Sequence, residues 1–134
     1  MDALVLKDGI RIGETVYTRL SISPLTAGEA IDATIAGEKV KLGINGQPVI
    51  VESPTLISAE RLRRQVKHLE SETGETLQGP IQLGDIRKMS EGDYRVLLDH
   101  ASTIDGLYLA REDGKKTGGR EEAGADGDTD GSGA

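Results

Sequence analysis

Residues 3–23 read ALVLKDGIRIGETVYTRLSIS, and the period of their apolar positions decides the fold class. Val16, Thr18, Leu20 and Ile22 fall on one face and Tyr17, Arg19 and Ser21 on the other, as the period of two of a half-buried strand requires. Asp8-Gly9 and Gly13-Glu14 are turn-prone pairs, so two or three antiparallel strands are expected. Pro24 ends the last of them, because it cannot donate to a ladder.

Helical signals follow at once. Thr26 is an N-cap with Glu29 three residues on, a capping box, and Gly37 closes that helix. Residues 38–52, EKVKLGINGQPVIVE, read as a β-hairpin with Val40 and Leu42 on one arm, Asn45-Gly46 near the turn and Val49–Val51 on the other. Ser53 with Pro54 opens a longer helix, whose buried line is Leu62, Val66 and Leu69 and whose end is set by Gly74. A short helical turn passes through Leu83, Ile86 and Met89. Ser90 and Asp93 then cap a helix in which Tyr94, Leu97, Leu98, Ala101 and Ile104 recur at i, i+3, i+4, i+7, with Gly106 as its stop. The expectation is an α+β fold: a small N-terminal antiparallel hairpin or sheet packed with three or four helices, in a single domain over residues 1–110. From Arg111 onward Gly and charged residues replace apolar ones, so residues 111–134 are expected to form a disordered, acidic, Gly/Asp-rich tail.

Composition narrows the chemistry. The chain of 134 residues carries a formal charge of −7, no cysteine, no Phe or Trp, and three tyrosines. Disulfides and thiolate metal sites are excluded, base stacking on aromatics is poorly supported, and no apolar run approaches a membrane span. The cytoplasm is the expected compartment. Asp126, Asp128, Asp130 and Gly131 have the spacing that opens a calcium loop, yet the glutamate of its twelfth position lies past Ala134; a solvated tail is the expectation, with no metal and no cofactor. His68 and His100 lack the partners that catalysis requires, and EDGKKTGG lacks the first glycine and the Ser/Thr of a P-loop. No enzyme is expected. The run RLRRQVK, with Arg61, Arg63, Arg64 and Lys67, is the one basic footprint, but Glu60 sits four residues before Arg64 and would neutralise part of it.

The order of the motifs carries a resemblance. Leu4, Leu6, Ile10 and Leu20 of the first hairpin, Pro24 and Thr26 at the first helix, and Met89, Asp93 and Tyr94 of LGDIRKMSEGDYRVLLDH together resemble the small tail assembly chaperones of Mu-like long-tailed bacteriophages. The likeness spans residues 3–104 and departs from the pattern at Leu25 and at the hairpin around Asn45-Gly46, an insertion. It implies a protein that coats the tape measure protein, keeps it soluble while tail tube protein assembles around it in the host cytoplasm, and is absent from the finished virion. Self-association is also open. The candidate partner-binding residues are the apolar stripes Leu62, Val66, Leu69 and Tyr94, Leu97, Leu98, Ala101, with burial inside the domain as the competing reading of the second stripe. Two other functions compete: a permanent tail or head component of the virion, and a small DNA-binding regulator using the Arg61–Lys67 helix.

The resemblance also implies that the chain is made in two lengths by a backward ribosomal slip near the end of the short frame. A tandem slip needs X-XXY-YYZ across three codons. Between Gly106 and Ala134 the genetic code permits it only at Gly114-Lys115-Lys116, as GGA-AAA-AAA or GGA-AAA-AAG, and at Thr117-Gly118-Gly119, as ACG-GGG-GGN.

Overall fold

A computed structural model describes the backbone of residues 3–119 and the side chains of residues 3–110. The chain divides into residues 1–102 and residues 103–134, and the sheet and core belong to the first unit. Strands β1 (Leu4–Ile12) and β2 (Thr15–Ile22) form the expected hairpin, turning at Gly13 with φ +65°. Helix α1 (Ala27–Ala36) carries the Thr26–Glu29 capping box in both directions. After it come β3 (Glu38–Leu42), β4 (Pro48–Glu52), α2 (Pro54–Gln65), β5 (Val66–Ser71), β6 (Thr76–Gln78), α3 (Leu83–Arg87) and α4 (Glu91–Gly119). The main sheet is antiparallel in the order β1-β2-β5-β6, while β3 and β4 pair only with each other. The α+β class is as expected, with four helices.

Three expectations about turns and strands are corrected, and a β-bulge lies behind each of them. Asp8-Gly9 is a bulge within β1 and makes no turn: the register slips between Val5 and Ile10, and Gly9 adopts φ +85° with its α-carbon so close to β2 that a Cβ would lie 2.8 Å from the Tyr17 carbonyl oxygen. Tyr17 faces the core with Leu20 and Ile22 and not away from them, because the β2–β5 register slips at Thr18 and an extra residue inverts the alternation. The helix opened by Ser53 and Pro54 ends at Gln65, so Val66 and Leu69 lie on a central strand. A second slip, opposite Ser21 and Ile22, bulges Lys67 and puts Val66 and Leu69 on one face three residues apart. That spacing imitates a helix. Gly74, with φ +95°, serves the β5–β6 turn, where Ser71 N–H donates to the Glu75 carbonyl at 2.8 Å.

The core of the first unit gathers Leu6, Ile10, Tyr17, Leu20, Ile22, Leu62, Val66, Leu69, Ile81, Ile86, Leu97 and Ala101. Removing each such aliphatic side chain from water contributes about 1.5–3 kcal/mol before entropy is counted. Gly106 does not stop the last helix, whose backbone continues to Gly119, within the stretch expected to form the tail; residues 120–134, with the Asp126–Asp130 triplet, lie outside the described residues. Among the described residues no helix is long and apolar enough to cross a membrane.

Candidate partner-binding surface

The β3–β4 hairpin leaves the fold between α1 and α2. Its root is narrow, because α2 passes against Gly37, where a Cβ would fall 2.3 Å from Ile57 Cγ1 and 3.1 Å from the Ile57 backbone nitrogen. Only glycine permits that approach. Asn45-Gly46 lies in the turn as expected, with Gly46 at φ +75°, and the pairs run from Glu38↔Glu52 through Val40↔Ile50 to Leu42↔Pro48.

Directly paired residues share a face, so one face carries Val40, Leu42, Pro48 and Ile50 above Glu38 and Glu52, and the other carries Lys39, Lys41, Val49 and Val51. Every residue of both strands is exposed. Val40, Leu42 and Ile50 keep 69%, 76% and 67% of their surface in water, and Ile44 at the tip is fully exposed. β-Branched and aliphatic residues form a hairpin readily here, but nothing in the described chain covers it. Contiguous exposed aliphatic surface of this kind marks an interaction site far more often than scattered single residues do.

A second surface adjoins the hairpin's root, where Lys39 and Ser53 border it. An open groove of about 460 Å³ is walled by Leu56 and Ala59 of α2, Ile86 of α3, Met89 and Tyr94, with Lys39 and Glu91 on its lining. It is apolar enough to take a side chain from a partner, and it holds no catalytic grouping.

The candidate residues read from the sequence divide between core and groove. Leu62, Val66, Leu69, Leu97 and Ala101 are buried in the core, where they hold the fold and present no surface to a partner. Leu98 packs half-buried against that core, and Tyr94 does so while also reaching the groove. Residues Gly114, Lys115, Lys116, Thr117, Gly118 and Gly119 have helical backbone, which bears on no event at the level of the messenger. The hairpin was legible as structure but was not singled out as a site; the signal available was aliphatic residues on both faces of a two-stranded element, too many for one core-facing side.

The charged groups have structural work. Asp93 is almost fully buried, and its carboxylate accepts from the backbone N–H groups of Lys7, Asp8 and Gly9 at 3.0, 2.9 and 2.9 Å. Its own N–H donates to Ser90 Oγ at 3.2 Å. Burial raises the Asp93 pKa, but the donors from Gly9, Asp8, Lys7 and Ser90 outweigh it and hold the carboxyl below its ordinary value. In the basic run, the expected Glu60–Arg64 pair is present at 2.5 Å, Arg63 Nε binds the same Glu60 oxygen at 2.8 Å, and Lys67 pairs with Glu29 at 2.7 Å. Burial opposes ionisation of Glu60, yet the two guanidinium groups keep its pKa lowered. Three cations of the run therefore already have carboxylate partners. His68 Nδ1 meets Gln78 Nε2 at 3.1 Å, His100 Nε2 is buried without a hydrogen-bond partner, and no cluster of His, Asp and Glu among the described residues is arranged to hold a metal.

An α+β domain with an exposed aliphatic hairpin and no catalytic or metal-holding grouping among its described residues has the features of a protein that works by contact with another chain. The chain belongs to the phage family described as tail assembly protein gp41, whose pattern it matches over residues 6–119. It is 37% identical over 98 residues to the probable tail assembly protein gp41 of Escherichia phage Mu, covering 70% of this chain and 64% of that protein. The probable tail assembly protein FS-gp41 of the same phage matches at 37% over 98 residues, which is 49% of its length. The Mu-like prophage FluMu protein gp41 of Haemophilus influenzae is 31% identical over 90 residues, 67% of each chain. The match thus spans about half to two-thirds of the curated relatives. No solved structure matches the chain.

Proposed function

We propose that this protein is a phage tail assembly chaperone that binds the tape measure protein and keeps it soluble while tail tube subunits assemble. The observation that carries the reading is the β3–β4 hairpin, whose aliphatic residues are exposed on a domain whose own core is filled without them. A surface of that kind supports a reversible apolar contact with another chain. The tail assembly role comes from the family and from the names of its relatives in phage Mu. Binding occurs in the host cytoplasm, and the chaperone leaves before the virion is complete. Mass spectrometry of purified particles tests that departure: the expected result is its absence beside abundant tube subunits, and stoichiometric recovery would make it a structural component instead.

A longer product belongs to the same proposal. The two phage Mu relatives match over the same number of residues yet with 64% and 49% coverage, so the second is the longer protein. A slip at Gly114-Lys115-Lys116 or Thr117-Gly118-Gly119 would append a further module to this chain in the same manner, with the lysine pair favoured because A–U pairs re-form easily. Sequencing the gene decides it: one of the two heptamers followed by an open shifted frame is expected, and the absence of both overturns the tandem slip.

A further inference from the structure

The two edges of the β3–β4 hairpin are chemically unequal. Ser53 N–H donates to the Gly37 carbonyl at 3.0 Å and Gly43 N–H to the Gln47 carbonyl at 2.8 Å, so hydrogen-bonded pairs of the ladder fall at 37/53 and 43/47. Alternation between those ends turns the backbone groups of Lys39 and Lys41 inward to β4 and those of Glu38, Val40 and Leu42 outward. On β4 the outward residues are Pro48, Ile50 and Glu52, and Pro48 has no N–H to offer, which blunts that edge. Strand β3 has no such protection. No further strand pairs with it among the described residues.

Charge then selects what can pair there. Lys39 and Lys41 share the face that holds Val49 and Val51, and neither has an ion-pair partner among the described residues. In a two-fold antiparallel pairing of β3 with β3 of a second copy, every register that joins more than one outward residue of each strand sets lysine opposite lysine: 39 against 39, 39 against 41, or 41 against 41. Like charges directly opposite destabilise a ladder. The edge is therefore built against its own copy and for a strand of opposite sign.

We propose that the β3 edge binds an extended segment of another protein in which aliphatic and acidic residues alternate. Its aliphatic side chains join Val40, Leu42 and Ile50 on one face, and its carboxylates lie beside Lys39 and Lys41 on the other. Hydrogen bonds to the outward backbone of Glu38, Val40 and Leu42 supply affinity, and the two lysines supply selectivity. The chain's net charge of −7 repels an acidic segment at long range, so a preference for one is a signature of these lysines. The inference goes beyond the chaperone reading and does not depend on which tail protein supplies the segment.

Two capped heptapeptides test it, Gly-Val-Glu-Val-Glu-Val-Gly and Gly-Val-Lys-Val-Lys-Val-Gly, each titrated into the 15N-labelled full chain and followed by NMR. The acidic peptide is expected to shift the amides of residues 38–42 and to bind about tenfold or more tightly than the basic one. The double variant Lys39→Glu, Lys41→Glu is expected to reverse that order while the amides of the main sheet stay in place. Unmoved amides at 38–42, equal binding of the two peptides, or an unchanged preference in the double variant would each overturn the proposal.

Discussion

Asp93 ties the two ends of the folded unit together. Three backbone N–H groups of the β1 bulge converge on its carboxylate, a demand that no local partner meets because a bulge takes those donors out of the ladder. Asp93→Asn keeps the shape but turns one acceptor into a donor facing N–H groups, at a cost of about 2–4 kcal/mol, to be read from urea unfolding at pH 7. The carboxyl is held below its ordinary pKa in the folded state, so its stabilisation is complete above the unfolded-state pKa and is lost as pH falls through the lower, folded value. The stability gap between the parent chain and Asp93→Asn should accordingly be widest near neutral pH and shrink in acid below the normal carboxylate range; a gap that grew on acidification would contradict this. At Leu97, wholly buried, an aspartate places an unpaired charge in the core, and Leu97→Asp is expected to lose several kcal/mol (about 3–5) or fail to fold. A folded, soluble Leu97→Asp protein with only its partner binding lost would restore that stripe as the docking face.

Elements were legible in the sequence where turn chemistry and period agreed. The Thr26–Glu29 box, Pro54 at a helix start and Asn45-Gly46 at a hairpin turn each act through a few adjacent residues, and each is found as expected. The misreadings came from bulges at Asp8-Gly9, Thr18 and Lys67, which insert one or more residues and convert a period of two into spacings that read as a turn or as a helix. Gly106 misled for another reason: one glycine costs a helix only about 1 kcal/mol. The exposure of the hairpin was not legible, because aliphatic residues on a strand suit a core as readily as a surface. Replacing residues 38–52 by a short Gly-Ser linker should shift Tm by no more than about 3 °C, since the hairpin buries almost nothing and Gly37 and Ser53 already meet. A drop much larger than that would mean the hairpin helps to hold α1 on α2.

At the scale of the whole molecule, one core gathers the buried aliphatic residues, and the β3–β4 hairpin holds the densest run of exposed ones, beside scattered exposed residues such as Val5, Ile31 and Ile35. Charge gives the same reading from the other side. With Arg63, Arg64 and Lys67 already matched by Glu60 and Glu29, duplex DNA should bind weakly, if at all, in a gel shift at physiological salt; tight binding abolished by moderate salt would revive the regulator. The most direct test is co-expression of the phage's tape measure protein with either the parent chain or the linker variant lacking residues 38–52, followed by measurement of the soluble fraction. Soluble tape measure protein is expected with the parent chain and aggregated tape measure protein with the variant, whose own fold is expected to persist. Equal solubility with both would contradict the assignment of the hairpin as the chaperone's working surface.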